Sequence, residues 1–307
     1  MKVTKYLGKI VNWSLYGYIA LTLPKKCAVP VQHYQDRVIY QAEKKITPKN
    51  ILVIDEFCKN SVKIDMDNIG DISHGFITSR IIEDGLPNAN VYKKNIKNPF
   101  FENNNYIKDS IAEPILKEMR AGKKYDAVNL SIGFDADFDD LSKMVGEEIT
   151  PENIASKKRK IKDFLLNNPE KVVDKRFLFF RLKSKEVIPL IDCMDSLSAK
   201  GTKVYVSAGN SFENNLNLLS LIDNSVSVGA LDKYGEKELF SGNNSLVKRW
   251  IKGFIPVQKT NYGYQIIFDK SKKDIEEHNS TGFWHLTDGS LRGTSYSAPR
   301  ALVEDMK

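Results

Sequence analysis

Lys203-Val204-Tyr205-Val206-Ser207-Ala208-Gly209-Asn210 is the stretch of sequence from which the fold of this chain can be worked out. Its first five residues are rich in β-branched and aromatic side chains, which predicts a short strand. The Gly-Asn pair after them is typical of a turn. The stretch therefore predicts a strand that presents a polar side chain directly after its carboxyl end.

The same pattern recurs along the chain. Residues 51–54, 125–131 and 225–229 are further apolar, β-branched runs, and residues 111–120 and 187–200 have the apolar spacing of helices. Parallel strands need long crossover connections, and a helix is the usual one. We therefore predict an α/β three-layer domain with a mainly parallel sheet, in which chemistry is expected at the carboxyl ends of the strands.

Composition narrows the class of protein. Of 307 residues, 41% are hydrophobic and 28% are charged, which is typical of a globular protein and excludes a disordered or fibrous one. The net charge of +7 comes from scattered basic residues, and only Ser156–Lys160 forms a basic cluster, so we expect no nucleic-acid partner. Cys27, Cys58 and Cys193 form no metal-binding spacing, and we expect no metal and no cofactor.

The N-terminus carries a possible targeting signal. Lys2, Lys5 and Lys9 precede a mostly apolar stretch at residues 10–23, as in a signal peptide, although Lys25 and Lys26 follow it. Residues 1–30 are thus either a signal peptide, which makes secreted or periplasmic localisation slightly favoured over cytoplasmic, or an N-terminal helix packed on the domain. No later stretch reaches the ~20 apolar residues of a spanning helix, so no stable membrane span is expected.

The main domain is predicted to cover residues 31–307. Within it, composition changes at about residues 135–185, where acidic residues give way to a basic helical stretch and then to aromatic residues. We interpret this segment as a helical insertion between two strands of the sheet.

A nucleophile motif lies near the C-terminus, in Gly293-Thr294-Ser295-Tyr296-Ser297-Ala298-Pro299. A glycine followed by a hydroxyl residue suits a nucleophile at a helix start, where the helix dipole stabilises negative charge. Taken alone, the motif is more typical of a helix N-cap. Earlier segments supply the partners that a serine nucleophile needs: a base at His74, an orienting carboxylate at Asp55 and an oxyanion donor at Asn210.

At this point the chain resembles the subtilisin-like serine peptidases, the subtilase family, whose nucleophile and partners follow the order Asp, His, Ser. Six segments carry the resemblance in order: residues 53–55, 74–75, 129–133, 207–210, 226–232 and 293–299. The resemblance implies a serine endopeptidase with Asp55, His74 and Ser295 as triad, Asn210 in the oxyanion hole, and Ser131, Ile132 and Gly133 pairing with a peptide or protein substrate.

The chain also departs from the family pattern. Glu56 and Phe57 follow Asp55 where a small hydroxyl residue and glycine are usual, and Asp55 and His74 lie nineteen residues apart. The chain ends twelve residues after Ser295, so we expect the C-terminal part of the domain to be truncated. A catalytically inactive, subtilase-like peptide-binding module is therefore the alternative function. His285, ten residues before Ser295, is a rival base, but it is flanked by Trp284 and Leu286 with no glycine after it, which is more typical of a packed or rim residue.

Overall fold

A computed structural model of the protein describes residues 47–57, 73–96, 106–177, 180–212, 214–260, 263–266, 286–287 and 290–307. The possible signal peptide or N-terminal helix, Cys27, Cys58 and His285 lie outside the described residues. The chain divides into two units, Met1–Thr47 and Pro48–Lys307, and the second contains every element below.

In the first part of the chain helices separate most strands, whereas, among the described residues, six strands follow one another directly before the last helix. In chain order, the elements are β1 (Asn50–Asp55), α1 (His74–Gly85), β2 (Asn90–Asn95), a π-helical turn (Lys108–Ala112) that runs into α2 (Glu113–Arg120), β3 (Ala127–Leu130), β4 (Asp135–Asp137), α3 (Phe138–Val145), α4 (Ile154–Asn167), β5 (Val172–Phe177), β6 (Phe180–Lys183), α5 (Ser184–Ser198), β7 (Lys203–Ser207), β8 (Asn215–Asn217), a 3-10 turn (Leu218–Leu221), β9 (Val226–Leu231), β10 (Val247–Lys252), β11 (Phe254–Thr260), β12 (Gly263–Ile266), β13 (Leu286–Thr287), β14 (Ser290–Arg292) and α6 (Thr294–Met306).

The centre of the fold is a six-stranded sheet in the order β10-β9-β7-β3-β1-β2, in which every neighbouring pair is parallel. The four strands predicted from sequence correspond to β1, β3, β7 and β9, and they form the middle of this sheet. The predicted three-layer α/β class with a mainly parallel sheet is confirmed.

Side chains that alternate along each strand build two separate cores. In β1, Leu52 and Ile54 enter the larger core with residues of α2, α4 and α5, whereas Ile51 and Val53 face the smaller one. The smaller core is closed by α1 and by α6, whose Ala298, Ala301, Leu302 and Val303 are buried in it. Helices therefore cover both faces of the sheet, as the strand alternation requires.

The segment at 135–185, predicted as a helical insertion, contains α3, α4 and the β5–β6 hairpin. Leu141 of α3 and Ile161 and Leu165 of α4 are buried in the larger core, in one cluster with Ile191 of α5. The helices of this segment thus share the hydrophobic core of the sheet. Among the helices of the described residues, none is long and apolar enough to cross a membrane.

A smaller antiparallel sheet, ordered β12-β11-β14-β13, leads into the last helix. Phe254 of β11 pairs with Arg292 of β14, and the backbone N–H of Gly293 then donates to the carbonyl of Gly253 at 2.8 Å. These bonds fix the point at which α6 begins, and Ser295 is its second residue.

Candidate active site

Three of the predicted site residues follow neighbouring strands of the central sheet. Asp55 is the last residue of β1, Ser131 comes directly after β3, and Asn210 lies three residues beyond β7. Since β1, β3 and β7 are adjacent and parallel, their carboxyl ends meet at one edge of the sheet. The fold therefore gathers these side chains on the same edge.

Asp55 is fully buried and its carboxylate is held by three donors. Oδ1 accepts the backbone N–H of Glu56 at 2.7 Å and lies 2.7 Å from Nδ1 of His74. Oδ2 accepts the hydroxyl of Thr78 at 2.8 Å. A buried charge is tolerated only when it is paired and hydrogen-bonded, and this carboxylate meets both conditions.

His74 begins α1 and keeps 16% of its side chain exposed, so its ring lies at the edge of the site. Burial lowers the pKa of His74, but the charge of Asp55, the hydrogen bond to it and the charge of Glu56 outweigh burial, and the pKa is raised above its ordinary 6.5. In the neutral ring, donation from Nδ1–H to Asp55 leaves the lone pair on Nε2, the atom a general base uses. Asp55 thus orients the imidazole and favours its protonated form.

Ser295 lies in the first turn of α6, a helix of 13 residues, and only 8% of the residue is exposed. Its backbone carbonyl accepts the hydroxyl of Ser131 at 2.8 Å, which ties the end of β3 to the helix start. The ring of the next residue, Tyr296, lies 5.7 Å from the ring of His74, at a tilt of 35°. The structure therefore brings the helix start, the predicted base and the end of β3 together.

Asn210 is bound to the residue that precedes Ser295. Its Oδ1 accepts both the backbone N–H of Thr294, at 2.9 Å, and the Thr294 hydroxyl, at 2.8 Å. The other half of the carboxamide, Nδ2, lies 3.4 Å from where a Cβ on Gly293 would stand. The amide donor therefore lies against the turn that leads into α6, at ordinary van der Waals distance from this position.

Gly209 gives Asn210 its place in the turn after β7. Its φ of +102° lies in the left-handed region, which glycine adopts without the steric cost that a Cβ brings. The Gly209 carbonyl then accepts the backbone N–H of Gly242 at 3.0 Å. The oxyanion candidate is thus anchored on two sides, by Thr294 and by this turn.

Sequence reasoning missed two buried polar residues at the site. Thr78 lies one helical turn after His74, so its hydroxyl reaches the same carboxylate, and that i+4 spacing on α1 is a signal the sequence contains. Asn217 lies at the end of β8, and its carboxamide donates to the backbone carbonyl of Ile132, after β3, and to that of Ser207, the last residue of β7. No sequence motif marks Asn217.

The described chain is thus a three-layer α/β domain with a polar site at the carboxyl edge of its parallel sheet. A scan against protein-family models finds no match, and a search of curated protein sequences finds none either.

Three solved structures with a similar fold are distant from this chain in sequence. The epidermin leader peptide processing serine protease of Staphylococcus aureus is 14% identical, with a TM-score of 0.47 over 87% of this chain and 66% of that one. The patellamide maturation protease PatA is 14% identical (TM-score 0.45, 83% and 75% covered), and a lanthipeptide protease is 15% identical (0.44, 83% and 71%). Likeness at this level carries no inference about activity, which has to rest on the geometry of the site.

Proposed function

We propose that this chain is a serine endopeptidase of the subtilisin type, acting on peptide or protein substrates without a cofactor. The proposal is supported above all by the 2.7 Å hydrogen bond between His74 Nδ1 and the buried carboxylate of Asp55, at the edge of the sheet where α6 begins. A buried aspartate that orients a histidine is one half of the arrangement that activates a serine hydroxyl, and Ser295, in the first turn of α6, is proposed to supply the other half.

In the proposed reaction, Ser295 Oγ attacks the scissile carbonyl carbon while His74 Nε2 accepts its proton. The electron pair of the carbonyl moves to oxygen, and Asn210 Nδ2 and the backbone N–H of Ser295 bind that oxyanion. When the intermediate collapses, the C–N bond breaks and His74 gives its proton to the leaving amine, which leaves an acyl-enzyme. Water then repeats the two steps with His74 as base, and Asp55 stabilises the imidazolium each time it forms.

The substrate chain is proposed to bind as an extended strand along Ser131, Ile132 and Gly133, by β-strand addition. We also propose that the protein does not bind nucleic acid. The basic cluster of α4 is largely paired within the protein, since Lys157 and Lys160 both contact Glu147, at 2.9 Å and 2.7 Å. A positive groove for a phosphate backbone needs unpaired cations along one face.

Labelling with a fluorophosphonate tests the proposal, because the reagent reports an activated serine directly. We expect the protein to be labelled and Ser295→Ala to abolish labelling. Ser297→Ala is the matched control: this serine lies in the same helix and is fully buried, but its hydroxyl donates to the Ile251 carbonyl at 3.0 Å. Labelling of Ser297→Ala should therefore match that of the unaltered protein.

Two further variants separate the proposed roles. His74→Ala should also abolish labelling, because an unassisted hydroxyl is a weak nucleophile near neutral pH. Asn210→Ala should slow it by ~10²-fold or more without abolishing it, because the backbone donor remains. If the protein is folded by circular dichroism and resists labelling, yet binds extended peptides, it is an inactive peptide-binding module instead.

A further inference from the structure

Asn217 makes four hydrogen bonds with its side chain and is fully buried. Nδ2 donates to the carbonyl of Ile132 at 3.0 Å and to that of Ser207 at 2.7 Å. Oδ1 accepts the backbone N–H of Phe134 at 3.2 Å and that of Leu219 at 3.1 Å. The carboxamide therefore uses both of its donors and both of its acceptor sites on backbone groups.

These bonds join two separate walls of the candidate site. Ile132 belongs to the segment proposed to bind substrate, and Phe134 comes just after that segment. Ser207 is the last residue of β7 and lies three residues before Asn210. Ser207 reinforces the link, since its own hydroxyl donates to the Ile132 carbonyl at 3.2 Å. Asn217 lies between the walls: a Cβ on Gly133 would stand 3.9 Å from its Nδ2, and a Cβ on Gly209 would stand 3.6 Å from its Cβ.

We infer that Asn217 is a positioning residue for peptide substrates, which fixes the spacing between the substrate segment and the oxyanion donor. This inference rests on the proposed peptidase function. In an extended chain, successive carbonyls point to opposite sides. The carbonyl of Ile132 is bound to Asn217. If the peptide pairs along residues 131–133 as proposed, an extended backbone there would turn the carbonyls of Ser131 and Gly133 to the opposite side, toward the peptide.

The groups proposed to carry out the chemistry have anchors that do not involve Asn217. His74 is held by Asp55, and Asn210 is held by Thr294. Removal of the Asn217 carboxamide should therefore disturb the binding of an extended peptide more than the reactivity of Ser295. Asparagine suits the position because alanine would leave four backbone groups without this hydrogen-bond partner.

Two active-site reagents separate positioning from general stability. One is a small alkyl fluorophosphonate, which needs only the nucleophile, base and oxyanion donor, and the other is a tetrapeptidyl phosphonate, which also needs the substrate segment. For Asn217→Ala we expect the ratio of peptidyl to alkyl labelling rates to fall about tenfold or more, with the alkyl rate changed no more than about threefold.

The matched control is Asn153→Ala, outside the site. The Asn153 side chain also bonds loop backbone, accepting the N–H of Thr150 at 2.9 Å and donating to the carbonyl of Glu148 at 3.1 Å. This variant should leave the ratio unchanged. If Asn217→Ala does not fold, Ser207→Ala removes only one bond to the Ile132 carbonyl and should lower the ratio by a smaller factor.

The possible outcomes distinguish this inference from the proposed function. If neither reagent labels the unaltered protein, the peptidase function fails. If the protein is labelled but Asn217→Ala, or Ser207→Ala in its place, slows both reagents equally or leaves both rates unchanged, Asn217 is structural only and the inference is wrong.

Discussion

Glu56 directly follows Asp55 of the proposed triad, at a position where the subtilase pattern has a small hydroxyl residue. Its backbone serves the site, since its N–H donates to Asp55 Oδ1 at 2.7 Å and its carbonyl accepts the N–H of Gly75 at 2.8 Å. Its exposed side chain adds a negative charge that contributes to the raised pKa of His74. A general base must be neutral to accept a proton, so a raised pKa moves the loss of activity on acidification to higher pH.

Replacement of the Glu56 charge should shift the pH dependence of labelling in a definite direction. Glu56→Gln removes one of the contributions that raise the pKa of His74, so the pKa should fall. His74 would then stay neutral to lower pH, and the acid limb of the labelling rate should shift to lower pH. Fluorophosphonate rates measured from pH 5 to 9 test this, with Glu83→Gln as control, since Glu83 lies on α1 and pairs with Lys93 at 2.8 Å. An acid limb that stays in place, or moves upward, contradicts the prediction.

At the scale of elements, α1 and α6 carry His74 and Ser295, and they pack on the same face of the sheet. The ends of these helices approach very closely at Gly85: a Cβ there would stand 2.4 Å from Cγ1 of Val303 and 2.8 Å from its Cγ2. Real Cβ atoms do not approach other atoms so closely, so the glycine allows the two helices to meet. This contact joins the two helices that carry the predicted catalytic residues.

Gly85→Ala should therefore destabilise the protein, although alanine is intrinsically the better helix former by ~1 kcal/mol. Overpacking costs ~1–3 kcal/mol, and the contact lies well inside van der Waals distance, so the steric cost should prevail. Val303→Ala removes the clashing methyl groups, and in the double variant the loss of stability should be smaller than the sum of the two single losses. Thermal unfolding of all four proteins measures this coupling. Additive losses would show that the two positions do not interact.

At the scale of the whole molecule, the sequence predicts the parts of the fold that are buried on both faces. β1, β3, β7 and β9 are mainly apolar because they lie in the middle of the sheet, which helices cover on both faces. The edge strands β2 and β10 were not predicted, since Asn90–Asn95 and Val247–Lys252 are polar, lysine-containing segments that are only partly buried.

In the candidate site, too, some residues can be predicted from the sequence and others cannot. Asp55 and His74 can be predicted from short sequence motifs around them, and in the structure the two side chains are hydrogen-bonded. The role of Asn217 depends on a bond to Ile132, which lies 85 residues away along the chain, and no local pattern predicts such a contact. Long-range hydrogen bonds of this kind become visible only when the fold is known.

The sharing of one core by α4 and the sheet predicts that residues 48–307 unfold as one unit. Ile161 of α4 is fully buried in the larger core, whereas Leu166, five residues later on the same helix, is 47% exposed. Ile161→Ala should lower the free energy of unfolding by ~2–5 kcal/mol, and Leu166→Ala should change it by no more than ~0.5 kcal/mol.

Urea titrations followed both by circular dichroism and by residual fluorophosphonate labelling measure the effect. Both signals should be lost at one urea concentration, and Ile161→Ala should move the two midpoints down together. Side chains that complete the core of the sheet cannot leave it without exposing that core to water, so α4 should not unfold before the sheet does. If α4 unfolds in a separate, earlier step that leaves labelling intact, the segment at 135–185 does not belong to the core of the domain and the prediction is wrong.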